Sequence, residues 1–207
     1  MSWQYYINME PMALEIADEH IKKMTDNNLD KREPCFLNEK YFIPNLKNGF
    51  VAATMLVAYC ESFINSLIRL EYRDLAKDLY ARSTKFKLDR LYDDKGKSDR
   101  LKELSDSAAF KHYSTFDTVR NELIHYQVST KEHASRLADF KIKIVNASRF
   151  FTKENFTHGK ENTVELAKVI ADDLGYGIKE DMSIVSCDGN HPIFYNYVYK
   201  LEWLDQD

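Results

Sequence analysis

The segment from Phe50 to about Arg82 constrains the fold of this chain more than any other feature. Its first turns, Val51–Tyr59, are apolar all round, which is typical of a helix buried at the centre of a protein. Further along, Glu61, Asn65 and Arg69 follow one another at i, i+4 and i+8, so they share one face opposite an apolar stripe. The pattern predicts a long central helix with other elements packed around it.

Composition extends this prediction to the whole chain. The 207 residues include only six glycines and four prolines, too few for a many-turned β-protein, and 44 % of them are hydrophobic. A chain of this length is typical of one domain and buries enough surface to need no disulfide or metal. The predicted fold is therefore mainly all-α, a helical bundle.

Start and stop signals divide the chain further. Ser114 and Asn162, each with an acid three residues on, are typical helix starts, and the Asn48–Gly49 pair is typical of a break. A loop is predicted from 27 to 49. Helices are predicted over residues 12–26, 50–82, 115–127, 129–151 and from Asn162 to Gly175, with short helices between 83 and 109.

The C-terminal quarter differs from the rest in charge and pattern. Residues 161–207 carry a net charge of −7 and residues 1–160 a net charge of +3. We therefore expect a helical domain over 1–160 and an acidic extension over 161–207 packed on that domain. Ser183–Ser186 and Ile193–Tyr199 are β-branched or aromatic runs, which favour a small hairpin, although the second run also has helical spacing.

Several features predict a cytoplasmic protein that does not act at a membrane. The N-terminal residues lack the basic start and apolar core of a signal peptide, and polar residues from Glu61 onward interrupt the longest apolar stretch. The three cysteines, Cys35, Cys60 and Cys187, have no spacing typical of a disulfide framework or a zinc site.

The stretch from Arg82 to Lys111 holds nine bases and six acids. Two interpretations remain open. It is either a solvated helical hairpin of mixed charge or a source of phosphate contacts to nucleic acid.

One segment combines residues suited to chemistry. With about 100° per residue and Arg120 set to zero, Asp117 falls near 60°, Asn121 near 100° and His125 near 140°. Ile124, near 40°, lies among them, which suggests that this face is partly covered, for example by a second subunit. The apolar side of the same helix comprises Phe116, Val119, Leu123 and Tyr126.

This polar face is either the solvated side of an amphipathic helix or a site. Histidine suits general acid–base catalysis near neutral pH, and arginine can hold a phosphate and stabilise charge in a transition state. Such a pair could cleave RNA without a metal, because the base takes the proton of the ribose 2′-hydroxyl while the cation braces the phosphorane.

The run Phe116–Tyr126 (FDTVRNELIHY) resembles the signature of HEPN domains (higher eukaryotes and prokaryotes nucleotide-binding). That signature is Arg, four to six residues, then His, often with a polar residue directly after the Arg; Arg120, Asn121 and His125 match it. The helix around Ala58–Ile68 also resembles the long second helix of HEPN bundles. The resemblance covers about residues 50–151.

The resemblance implies a metal-independent endoribonuclease that needs no cofactor. His125 would be the general acid and base, Arg120 the ligand of the phosphate, and Asn121 a residue that orients the pair or the substrate. It also implies a homodimer with both motifs at the interface, and a toxin with an antitoxin or regulatory protein as partner, or a phage-defence effector. The supporting candidates are Glu61, whose partner is Arg120 or Arg69, together with Asp117 and His112.

One departure from the family concerns regulation. Toxins of this family that an antitoxin modifies often have a tyrosine two residues after the histidine, whereas here Tyr126 follows directly and Gln127 takes that position. The alternative to an enzyme is a non-catalytic HEPN-like module that binds a nucleotide or a protein, which the acidic residues 161–207 favour because they repel RNA.

Overall fold

The computed structural model describes residues 9–25, 39–72, 75–124, 150–178 and 184–186. This part of the chain is mostly helical, which confirms the all-α prediction. Its helices are α1 (Met9–Lys22), α2 (Glu39–Tyr72), α3 (Ala76–Tyr80), α4 (Thr84–Asp94), α5 (Ser98–Asp106), α6 (Ala108–Ile124) and α7 (Lys153–Leu174).

A short antiparallel ladder follows α7. Strand β1 (Tyr176–Ile178) pairs with β2 (Ile184–Ser186), with Gly177 opposite Val185. Gly175 ends α7 at φ +84°, a conformation typical of glycine after a helix, as the sequence predicts. The Ser183–Ser186 signal coincides with β2, but the partner of β2 is β1; Ile193–Tyr199 lies outside the described residues.

The contacts divide the chain into two compact units. The first comprises Met1–Ala13, Ala58–Ser107 and Val164–Asp207, and the second comprises Leu14–Val57 and Ala108–Thr163. The boundary predicted from composition, between residues 160 and 161, falls inside the continuous helix α7.

In the first unit, polar side-chain contacts join α4 and α5 to the end of α7. Tyr92 is fully buried, and its hydroxyl donates to Asp173 at 3.0 Å, while Arg100 Nε donates to the same carboxylate at 2.9 Å. Tyr176 and Lys95 both contact Glu71 at the end of α2. The apolar core of this unit includes Tyr59, Phe63, Ile64, Leu67, Ile68, Leu88, Leu91, Leu166 and Ile170.

In the second unit, a buried amide ties the start of α2 to two other segments. Asn45 is 1 % exposed; its Nδ2 donates to the carbonyl oxygens of Thr25 and Phe151, and its Oδ1 accepts from the Thr25 amide. Asp18 of α1 pairs with Lys160 of α7 at 2.5 Å. Four rings form the aromatic cluster of this unit, namely Phe116, Phe150, Phe151 and Phe156.

The predicted break at Asn48–Gly49 is wrong. Both residues lie inside α2, which begins at Glu39 and ends at Tyr72. Asn48 donates to the carbonyl of Pro44 one turn earlier, and a methyl group at Gly49 would overlap the ring of Phe151. Here glycine serves close packing and not a turn.

Two predicted helix starts are also wrong. Ser114 lies within α6, which begins after Ser107, where the backbone is extended (ψ 154°). Asn162 lies within α7, whose cap is Thr152: its Oγ1 accepts from the Asn155 amide at 3.2 Å. The helix predicted over 129–151 falls almost entirely outside the described residues.

Within the described residues, one helix, Pro44–Tyr72, is long and apolar enough to cross a membrane by length and composition alone. The prediction that polar residues from Glu61 onward interrupt this stretch before it reaches such a length is therefore wrong. Of its apolar window 56 % is buried inside the protein, as in many core helices, so this finding is weak evidence for a membrane span. The cytoplasmic location stays a prediction.

Candidate active site

Helix α6 carries the predicted site, and the aromatic cluster fixes its rotation. Phe116 is 1 % exposed, and its ring lies 5.1 Å from that of Phe156 and 5.8 Å from that of Phe150. Gly159 of α7 allows this packing, because any Cβ there would overlap the Phe116 ring. The buried Phe116 therefore fixes the rotation of α6 about its axis. The polar face, which includes the next residue, Asp117, is turned away from the aromatic cluster.

Asp117, Arg120 and Asn121 form one hydrogen-bonded network on this face, as their helical spacing predicts. Arg120 Nη2 lies 2.6 Å from Asp117 Oδ1, and Asn121 Nδ2 donates to the same oxygen at 3.3 Å. Asn121 Oδ1 in turn accepts from Arg120 Nε and Nη2 at 3.4 and 3.3 Å. The carboxylate and the amide hold the guanidinium from two sides.

The network is only half open to solvent. The Arg120 side chain is 19 % exposed and that of Asp117 36 %. A fully solvated helix face would leave an arginine far more exposed. The Arg120 side chain is therefore largely covered within a single chain. The cover predicted from Ile124 concerns a side chain outside the described ones and stays a prediction.

Two histidines are the remaining candidates from this part of the sequence. His125 lies outside the described residues, so its relation to Arg120 stays a prediction. His112 is half-buried on α6, but eight residues separate it from Arg120, on the order of 12 Å along the helix axis.

Glu61 lies on α2 in the first unit, where its charge acts on Lys87 of α4. Lys87 is buried, and its Nζ donates to Asn65 Oδ1 at 2.7 Å. Burial lowers the pKa of Lys87, and the charge of Glu61 opposes that shift. The polar face predicted on α2 thus receives a buried lysine, which the sequence analysis missed.

A signal for Lys87 does exist in the sequence. It directly precedes Leu88 and lies four residues before Leu91, so it borders the apolar side of α4. A buried cation at that position needs a polar partner on a neighbouring helix. The polar face of α2 that contains Asn65 is such a partner.

Among the described residues, no group of three or more His, Cys, Asp or Glu side chains is placed to hold a metal ion. No family model, no curated protein and no solved structure matches this chain. The HEPN resemblance therefore depends on the motif and its helical context alone.

Proposed function

We propose that this protein is a metal-independent endoribonuclease of the HEPN type, with Arg120 and His125 as its catalytic residues. The observation that carries the proposal is the network on α6, in which Asp117 and Asn121 orient a largely covered arginine. A cation held in place by hydrogen bonds stabilises developing negative charge better than a mobile one, because little reorganisation is needed during the reaction.

The proposed chemistry needs one base, one acid and one cation. His125 takes the proton of a ribose 2′-hydroxyl, and the 2′-oxygen attacks phosphorus. The bond from phosphorus to the 5′-oxygen breaks as that oxygen gains a proton from a His125 imidazolium, so His125 is both the base and the acid. A guanidinium has five donors, so Arg120 can bond Asp117 and a phosphate oxygen together. The products are a 2′,3′-cyclic phosphate and a 5′-hydroxyl.

The test compares purified wild type, Arg120→Ala and His125→Ala on a mixed RNA pool in EDTA. Wild type is expected to cleave, and both variants are expected to lose at least about 100-fold in rate, the usual range for a general base. Arg90→Ala and His158→Ala are matched controls, since both side chains are exposed on other helices. Equal cleavage by all five proteins would contradict the proposal.

The proposed homodimer and the biological role depend on the same resemblance. If the two motifs form a composite site, the specific cleavage rate rises with protein concentration through the range in which sedimentation shows dimer formation. A rate per subunit independent of that range would exclude a composite site. A toxin or phage-defence role further requires that expression of wild type, and not of His125→Ala, arrests cell growth.

A non-catalytic binding module is the second candidate, favoured by the net charge of −7 over residues 161–207. Binding of a nucleotide or a protein without RNA cleavage in the same assay would support it. Loss of that binding in Arg120→Ala would keep the network on α6 as the site.

A further inference from the structure

Two aromatic rings are exposed near the connection between α3 and α4. Tyr80, the last residue of α3, is 39 % exposed, and Phe86, in the first turn of α4, is 45 % exposed. The guanidinium of Arg82, in the connection between them, lies 5.6 Å from the centre of the Phe86 ring. Large rings left open to solvent beside a cation have an unused capacity for stacking.

Three exposed cations accompany these rings. Lys77, Arg82 and Lys85 lie within nine residues of one another, and none of them forms an ion pair in the part of the chain that the structure describes. Four cations further along the chain do have carboxylate partners. These pairs are Arg90–Asp94, Lys95–Glu71, Arg100–Asp173 and Lys102–Asp99.

Local structure places each ring beside a cation, Arg82 beside Phe86 and Lys77 beside Tyr80. Ser83 caps α4, its Oγ accepting from the Phe86 amide at 3.3 Å, which sets the direction of the first turn. Lys77 and Tyr80 are three residues apart on α3 and therefore neighbours on its surface. The residues Lys77, Tyr80, Arg82, Lys85 and Phe86 are called the aromatic–cationic patch below.

We propose that the aromatic–cationic patch binds single-stranded RNA. Its cations would neutralise phosphates, and its rings would stack on unpaired bases, which a duplex does not offer. The three cations of the patch favour an acidic partner over a basic one. They form a local positive region in a chain whose net charge is −4. The proposal rests on the proposed function for the choice of RNA, and it adds a contact to the substrate that lies outside the α6 network.

The experiment measures binding of full-length protein to a fluorescent 2′-O-methyl uridine 12-mer, which cannot be cleaved through its 2′-oxygens. Phe86→Ala is expected to weaken binding about tenfold, the usual effect of losing one stacked base. Arg82→Glu with Lys85→Glu is expected to lower the slope of log K against log salt by about 1.4, because each phosphate contact contributes about 0.7. Lys102→Glu, an exposed lysine with a carboxylate partner, is the control and should change affinity less than twofold.

Two substitutions at Phe86 separate stacking from apolar docking. Phe86→Trp should restore or exceed wild-type affinity, whereas Phe86→Leu should behave like Phe86→Ala, because leucine keeps the apolar surface and loses the ring. Equal loss with Trp and Leu would overturn the proposal, and so would unchanged affinity in Phe86→Ala. Thermal melts of each variant, expected to match wild type because these side chains are exposed, confirm that the fold is intact.

Failure of the patch and failure of the proposed function are distinguishable. RNA cleavage by wild type together with unchanged binding by all patch variants would overturn the patch and leave the enzyme. Patch-dependent binding without cleavage would support the patch and overturn the enzyme. Absence of binding to the oligonucleotide and to a matched single-stranded RNA would overturn the patch in either case.

Discussion

At the scale of single residues, Tyr59 is the buried side chain of the described part whose polar atom has no hydrogen bond. It is fully buried on α2, and its hydroxyl has no hydrogen-bond partner among the described residues. Burial raises the pKa of Tyr59, and the neighbouring Cys60 and Glu10 add to the shift. An unsatisfied buried hydroxyl costs on the order of 1–3 kcal/mol in desolvation.

We therefore expect Tyr59→Phe to raise the free energy of unfolding by about 1 kcal/mol, because the ring packing stays and the hydroxyl is removed. Urea denaturation of the two proteins measures the difference. A loss of stability of the same size would mean that the hydroxyl has a partner beyond the described residues.

Asp117 orients Arg120 but contributes little to the fold. Exposed or half-exposed ion pairs at i, i+3 typically add less than about 1 kcal/mol to stability. Under the proposed function, Asp117→Ala should lower the rate of RNA cleavage about tenfold or more while the melting temperature stays nearly constant, because the arginine loses its fixed position.

Asp99→Ala is the matched control for Asp117→Ala. Asp99 pairs with Lys102 at the same i, i+3 spacing, at 2.9 Å, and is 95 % exposed. It should leave both cleavage and stability unchanged. Equal cleavage rates in the two variants would show that the α6 pair has no part in catalysis.

At the scale of helices, two positions have room only for glycine because an aromatic ring packs against each of them. Replacing a glycine inside a helix by alanine ordinarily stabilises by up to about 1 kcal/mol. Gly159 in α7 is an exception, because a Cβ there overlaps the ring of Phe116 on α6. Gly49 in α2 has the same relation to Phe151.

Gly159→Ala should therefore destabilise the protein by about 1–3 kcal/mol, the usual cost of overpacking, in spite of the better helix propensity. Thr157→Ala, two residues earlier on the exposed side of α7, is the control and should be neutral or slightly stabilising. Urea denaturation of both variants measures this. Stabilisation by Gly159→Ala would mean that α6 and α7 are packed less closely than described.

The contact of α4 with α7 predicts a dependence of stability on alkaline pH. Burial, and then the charge of Asp173, raises the pKa of Tyr92, while burial raises that of Tyr72 to about 12. A tyrosine whose pKa is raised in the folded state contributes stability that is present below pH 10. That stability is lost as the pH rises above 10, because the unfolded chain ionises first.

Between pH 8 and pH 11, the free energy of unfolding of Tyr92→Phe should fall by about 1 kcal/mol less than that of wild type, since phenylalanine cannot ionise. Burial lowers the pKa of Lys87 and so acts in the opposite direction, but it does so equally in both proteins. Denaturation at the two pH values gives the difference. Identical losses in the two proteins would contradict the assigned shift of Tyr92.

At the scale of the whole molecule, the sequence predicted the fold class and most helices but misplaced several boundaries. The apolar segment after Phe50 and the scarcity of glycine and proline were sufficient for an all-α prediction. Asn48–Gly49 misled because its local preference for a turn is overridden by a tertiary contact, the ring of Phe151 from a distant segment. Ser114 has the residue pattern of a helix start but lies inside α6. The helix begins earlier because the backbone is extended at Ser107, which separates α5 from α6.

The contacts of the candidate site were predictable within one helix but not between helices. Helical spacing alone places Asp117, Arg120 and Asn121 on one face, and the structure joins them by hydrogen bonds. Spacing could not predict that Lys87 from another helix is buried beside Asn65, because that depends on which helices pack together. It also could not predict which aromatic residues of the chain, such as Phe86, stay exposed.

The most direct test of the account is the chemistry of the RNA ends that wild type produces in EDTA. We expect 2′,3′-cyclic phosphate and 5′-hydroxyl ends, and no cleavage at a linkage whose ribose is replaced by deoxyribose, because the 2′-oxygen is the proposed nucleophile. Ends with a 3′-hydroxyl and a 5′-phosphate, or cleavage that continues at the deoxyribose linkage, would contradict it.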